Sequence, residues 1–230
     1  MKKKTVFIIL ALILCVSLWA GDTASFVDLG FSPDGSVYIF AQYGVESSTL
    51  RPWADMFVVD VPRNNFVSGG KISYVHDRPV TAGQDGSGAL YRIIARNAAL
   101  AERYGVSFLL QGQPLYIALE NRAAAMGETI EFRDFEQGAS YRAVLVPYVE
   151  GSGTNLKSSF YINLERTARD GSKKTYTVGT PQIKRPLIAS YRIGKVVIAP
   201  GDGSVIFVIE TRKPRGNDFE IRYMVEALRL

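Results

Sequence analysis

Apolar and polar residues alternate with a period of two along most of this chain, the spacing of a strand that buries one face. Val37-Tyr38-Ile39-Phe40 follows the turn residues Ser32-Pro33-Asp34-Gly35. Met56-Phe57-Val58-Val59-Asp60-Val61 leads into Pro62-Arg63-Asn64-Asn65 and then Phe66-Val67. Such arrangements predict strand-turn-strand units: β-branched and aromatic side chains fill a pleated face, while Pro, Asn, Asp and Gly supply tight backbone geometry. The same reading predicts strands over residues 114–119, 128–135, 141–149, 160–167, 174–178, 195–199, 205–211 and 220–227. Asp170-Gly171-Ser172 predicts a hairpin that returns residues 174–178 against 160–167.

One segment departs from this pattern. Between Ser87 and Tyr104, Leu90, Ile93, Ile94, Ala98 and Ala101 recur at steps of three and four, with Arg92, Arg96 and Arg103 elsewhere on the wheel. Ser87 is suited to cap the start and Gly105 to end it in a left-handed turn. The expected fold is therefore all-β, antiparallel sheets in a sandwich or partial propeller-like arrangement, with one amphipathic helix near residues 87–104 covering a sheet.

The two ends echo each other. Residues 31–40, Phe-Ser-Pro-Asp-Gly-Ser-Val-Tyr-Ile-Phe, match residues 198–207, Ile-Ala-Pro-Gly-Asp-Gly-Ser-Val-Ile-Phe, with one inserted glycine. Each resembles the Ser-Pro-Asp-Gly turn and strand of a propeller blade, but only two copies occur, and a ring needs at least about four blades. The expectation is narrower: similar hairpins at both ends join the same sheet or neighbouring sheets.

The first residues change the picture of where the chain works. Met1-Lys2-Lys3-Lys4, an apolar run from Val6 to Trp19 and the small Ala20 form the three parts of a secretory signal, with cleavage expected after Ala20. The run is shorter than the roughly 20 residues that span a bilayer, so no permanent membrane anchor is expected after cleavage. Residues 21–230 are then one exported β-rich domain, with a subdivision near residue 105 as an alternative. Cys15, the only cysteine, leaves with the leader, and its neighbour Leu14 is too bulky for a lipoprotein signal. A mature chain without thiols forms no disulfide and no thiolate metal site. The leader also carries three of the 27 Lys and Arg residues, leaving 24 against 22 Asp and Glu. That balance lacks the basic stripe of a nucleic-acid binder.

Phe31-Ser32-Pro33-Asp34-Gly35, Phe57-Val58-Val59-Asp60-Val61, Asn65-Phe66-Val67, Ser159-Phe160-Tyr161-Ile162 and the final run from Ile221 to Leu228 resemble the bacterial predicted secreted proteins of domain-of-unknown-function family 2259. The resemblance implies export, periplasmic or beyond, and carries no catalytic residues.

Chemistry is sparse. His76, the single histidine, sits beside Asp77, but neighbours on an extended segment point apart, so a Ser-His-Asp triad is not expected. Ser68-Gly69-Gly70-Lys71 has the Ser-x-x-Lys spacing of a hydroxyl nucleophile and its amine, yet two glycines favour a turn that opens a strand around residues 72–75. The Asp-Gly-Ser turns at Asp34, Asp85, Asp170 and Asp202 lack the further acids of a calcium cage. Asp134 and Glu136 are the acid pair able to share a strand face as a glycosidase needs, whereas Glu128 and Glu131 are not. Trp53, in the loop-like Leu50-Arg51-Pro52-Trp53, is the candidate partner or ligand contact, an indole for a sugar or a side chain. No catalytic, cofactor-binding or metal-binding residue is assigned. The leading expectation is a non-enzymatic cell-envelope module, binding or structural, whose partner is an envelope protein or glycan. A carboxylate-dependent hydrolase such as a glycosidase and an outer-membrane β-barrel are the alternatives.

Overall fold

The computed structural model describes residues 22–81, 83–119, 127–216 and 218–230; the leader expected over residues 1–20 lies outside them. The fold is all-β, built from three open antiparallel sheets. The first is a meander of β1 (Ser25–Phe31), β2 (Val37–Val45), β3 (Pro52–Asp60) and β4 (Asn65–Val75). The second contains β6 (Thr129–Asp134), β7 (Ala139–Glu150) and β8 (Lys157–Thr167), with β9 (Lys173–Val178) and the short β10 (Arg185–Pro186) both pairing with β8. The third has the order β13-β12-β11-β5, from β5 (Gln113–Ile117), β11 (Ser190–Ile198), β12 (Val205–Arg215) and β13 (Asp218–Leu228). Among the described residues none of the three closes on itself, so they form no closed barrel.

The third sheet is the middle layer. On β12, Val205, Phe207 and Ile209 pack with Leu145, Phe160 and Ile162 of the second sheet. The intervening Ile206 and Val208 pack with Phe31, Tyr38, Phe40 and Val59 of the first. A strand covered on both faces has no polar side, which is why residues 205–209 read as an unbroken apolar run rather than an alternation. On β11 the parity changes midway. Tyr191 and Ile193 face the second sheet, and so do Val196 and Ile198. The register shift between Ile193 and Lys195 places Gly194 in a bulge, and the extra residue turns the next side chains over.

The opposite face of the first sheet is covered by helix α1 (Ser87–Arg96), which sets Ala89, Leu90 and Ile93 against Ile39, Ala41, Met56 and Val58. The order of layers is helix, first sheet, third sheet, second sheet.

The single helix expected over 87–104 is two. Asn97 adopts φ −120° between α1 and α2 (Ala98–Arg103), and its Nδ2 donates to the Ile93 carbonyl at 2.7 Å, a side-chain competitor for the helical ladder. The start also differs from expectation: Gly86 occupies the cap position, and Ser87 donates its N–H and hydroxyl to Asp85. The end is as expected. Gly105 takes φ +62°, and Val106 N–H reaches the Ala101 carbonyl at 2.9 Å, closing α2 in a left-handed turn.

The two echoing turns meet. The hairpin β1-β2 belongs to the first sheet and β11-β12 to the third, and their tips lie back to back. A Cβ on Gly35 would fall 2.1 Å from the Pro200 carbonyl oxygen, and one on Gly201 would fall 2.8 Å from Asp34. The similarity of the ends is thus two hairpins of neighbouring sheets in contact; no propeller ring is formed.

Candidate functional site

The sequence-derived candidates separate in space. Trp53 is not in a loop. It lies on β3 with only 6 % of its surface exposed, paired with Gly44 of β2, whose missing side chain leaves room for the indole. Arg222 of β13 stands 3.9 Å over the ring, held there by the buried Asp22, whose Oδ2 accepts from Nη2 at 2.9 Å. The indole closes the seam between the first and third sheets, so the exposed stacking surface expected from the sequence is absent. Asp134 and Glu136 do not face each other as a catalytic pair. Asp134 Oδ1 accepts the N–H groups of Glu136 and Gln137 at 2.9 and 3.0 Å, anchoring the turn after β6. Glu128 accepts from Ile193 N–H, and Glu131 pairs with Arg142 at 3.7 Å. Ser68 and Lys71 lie on strand β4, and the Lys71 ammonium covers the Phe66 ring at 4.3 Å.

The four Asp-Gly-Ser segments share one geometry. The first carboxylate oxygen of Asp34, Asp85, Asp170 and Asp202 accepts the N–H of the serine two residues on, at 2.9–3.1 Å. These are Asx turns. The bonds from Ser32, Ser87 and Ser172 hydroxyls hold Asp34, Asp85 and Asp170 below the usual carboxylate range, because a hydrogen bond to the charged form favours it. Among the described residues no group of three or more His, Cys, Asp or Glu converges as a metal site.

His76 does lie in a site. Strand β4 ends at Val75 and the chain bends at residues 77–78, so the opposition of neighbouring side chains no longer applies. Asp77 Oδ1 consequently comes to 3.1 Å from His76 Nδ1, a contact that extended backbone would have excluded, and the Tyr74 hydroxyl reaches the same nitrogen at 3.0 Å. The backbone here is pinned. His76 N–H donates to the Pro52 carbonyl at 2.8 Å, and Arg51 Nε returns to the His76 carbonyl at 2.8 Å.

Above this corner lies the N-terminal half of α1. Gly86 brings it close: a Cβ there would be 2.3 Å from the Gly44 carbonyl oxygen, so only glycine permits this approach of helix to strand. Between them opens a groove of about 640 Å³ whose walls include Pro52, Tyr74, His76, Val80, Asp85 and Arg92. A second hollow of about 460 Å³ continues it past Asp77 and Arg78, sharing Tyr74, His76 and Arg92. Arg92 and Arg96, one helical turn apart, each place the guanidinium carbon 5.3 Å from the Tyr74 ring centre. Among the described residues neither guanidinium reaches a carboxylate.

The fold and this groove define a layered antiparallel β-protein that presents a polar cleft, with Tyr74, Arg92 and Asp85 among its walls, where a helix crosses its first sheet. The family model of the predicted secreted proteins, domain-of-unknown-function family 2259, matches residues 39–229, and the chain belongs to that family. It is an exported protein, and no helix among the described residues is long and apolar enough to cross a membrane. No curated protein and no solved structure matches it.

The groove was missed from the sequence for a definite reason. Arg92 and Arg96 read as the solvated side of an amphipathic helix, and only the tertiary structure brings both near the Tyr74 ring.

Proposed function

We propose that the protein is a non-enzymatic binding module of the cell envelope, periplasmic or secreted, which holds an anionic ligand in the groove between α1 and β4. One observation carries the reading: two guanidinium groups from successive helical turns each lie 5.3 Å from the centre of one tyrosine ring and, among the described residues, meet no carboxylate. Guanidinium groups that rest beside an aromatic ring keep N–H donors for an incoming oxyanion, and the fork geometry suits carboxylate or phosphate. The leader expected over residues 1–20 and the balanced charge of the remainder suit a free envelope protein that meets its partner through this groove.

Titration of the ¹⁵N-labelled exported protein with citrate, a small polyanion, tests the reading. The expected result is chemical-shift change centred on Tyr74, His76, Arg92 and Arg96, weakened by salt, with citrate recovered unaltered. The double variant Arg92→Ala/Arg96→Ala is expected to lose it. Shifts scattered over the surface, or unchanged in the double variant, would dismiss the groove as the binding site.

A further inference from the structure

We infer that the ligand of this groove is an acidic sugar chain carrying carboxylates, of the uronic-acid type, rather than a phosphate compound; the inference rests on the anion-binding reading above. Three features of the groove point the same way.

Its extent comes first. The two hollows, about 640 and 460 Å³, run into each other through Tyr74, His76 and Arg92. Pockets of roughly 300–1,000 Å³ enclose molecules of several rings, far larger than a lone inorganic anion. A ligand that fills the trough is extended.

Charge along the trough is the second feature. Arg92 lines both hollows and Arg78 the second, with Arg96 outside them near the Tyr74 ring, but the end beside the helix start carries Asp85. Its carboxyl is held below the usual range by the Ser87 hydroxyl, so it is charged at neutral pH. Asp77 adds a second carboxylate on the other side. A polyphosphate, charged along its whole length, would set phosphates against both. A uronic-acid chain alternates carboxylates with hydroxyl groups, and hydroxyls donate to aspartate. The carboxylate of one sugar then meets Arg92, with Arg96 one turn further along the helix, while hydroxyls of the next are accepted by Asp85 and by Gln84, which also lines that end.

The walls are the third. Pro52 and Val80 give an apolar surface beside the His76 ring, suited to the C–H face of a pyranose. A phosphate chain has no such face.

Calorimetric titration decides, using tri-galacturonate, the neutral galactose trimer of the same length, and inorganic tripolyphosphate as probes. The expected outcome is measurable binding of tri-galacturonate at physiological salt, at least tenfold weaker binding of the neutral trimer, and at least tenfold loss in Arg92→Ala/Arg96→Ala. Asp85→Asn is expected to weaken tri-galacturonate by about threefold to tenfold and to strengthen tripolyphosphate. Wild-type protein that binds tripolyphosphate as tightly as tri-galacturonate, with the groove responsible, overturns the sugar inference and leaves the anion-binding reading standing. Failure of all three probes, together with failure of citrate, overturns both. The ligand series on wild-type protein separates the two chemistries even where Asp85→Asn disturbs the start of α1.

Discussion

At the scale of single residues, the chain relies on polar side chains that stand in for backbone partners. Asn64, in a left-handed conformation at φ 47°, donates to Glu226 Oε2 and accepts from Ala227 N–H, both at 2.6 Å, tying the β3-β4 turn to β13. Burial pushes the Glu226 carboxyl above its ordinary value of 4.5, against the pull of Asn64 and Arg185. Asp34 is shifted the other way, lowered from 3.8 chiefly by the Ser32 hydroxyl. The signs are opposite. The Asp34 contribution to stability is present above its unfolded pKa and is lost as pH falls through the lower folded value; that of Glu226 is full below 4.5 and lost as pH rises through its raised value. Glu226→Gln, which keeps an oxygen for Asn64, is therefore expected to gain in melting temperature relative to wild type as pH goes from 4 to 7. Calorimetry across that range would show a flat difference if the buried acid contributes nothing.

Gly35 illustrates a second residue-scale demand. It has φ +71° and faces the Pro200 carbonyl with no space for a methyl group. Gly35→Ala meets both backbone strain and a backbone clash, so a loss of about 2 kcal/mol or more is expected, or roughly 4–8 °C in Tm. An unchanged Tm would mean that the two tips are not in contact in solution.

Between elements, helix α1 is the part that makes the groove. Its apolar stripe was legible from three- and four-residue spacing, and Ala89, Leu90 and Ile93 are indeed the buried residues. Its interruption was not, because Asn97 breaks the helix through a hydrogen bond to Ile93 that spacing does not encode. Nor was the docking depth legible: Gly86 resembles an ordinary Asp-Gly turn until Gly44 is set against it. Gly86→Ala is expected to lift the start of α1, costing about 1–3 kcal/mol as overpacking does. It should also weaken citrate binding, since Arg92 and Arg96 would leave Tyr74. Loss of stability with citrate affinity intact would separate the helix from the site.

For the molecule as a whole, the central sheet couples the outer layers, because alternate side chains of β12 belong to different cores. Unfolding is expected to be one transition, coincident by far-ultraviolet dichroism and by tyrosine and tryptophan fluorescence in urea. Phe207, fully buried between the second and third sheets, is the residue whose loss both layers should feel. Phe207→Ala is expected to cost about 3–5 kcal/mol and lower the single midpoint, roughly 6–20 °C in Tm. Two separated transitions would show that the layers fold independently, in line with the alternative boundary near residue 105.

The amino-acid sequence by itself determined the local grammar. Strand positions from β2 onward, the hairpin at Asp170-Gly171, the four Asx turns and the apolar face of α1 follow from periods of two and 3.6 and from residues that tolerate tight turns. The weakly patterned β1, the start of β3 around Trp53, the first half of β11, the two-residue β10 and the length of β4 did not, because their pairing is set by the sheets they join. Tertiary structure alone decided that Trp53 is covered, that Asp134 anchors a turn, that Asp77 reaches His76, and that two arginines share one tyrosine. Periodicity assigns a side chain to a face of its own element; which other element covers that face is fixed by long-range packing, and a binding site is made of such meetings.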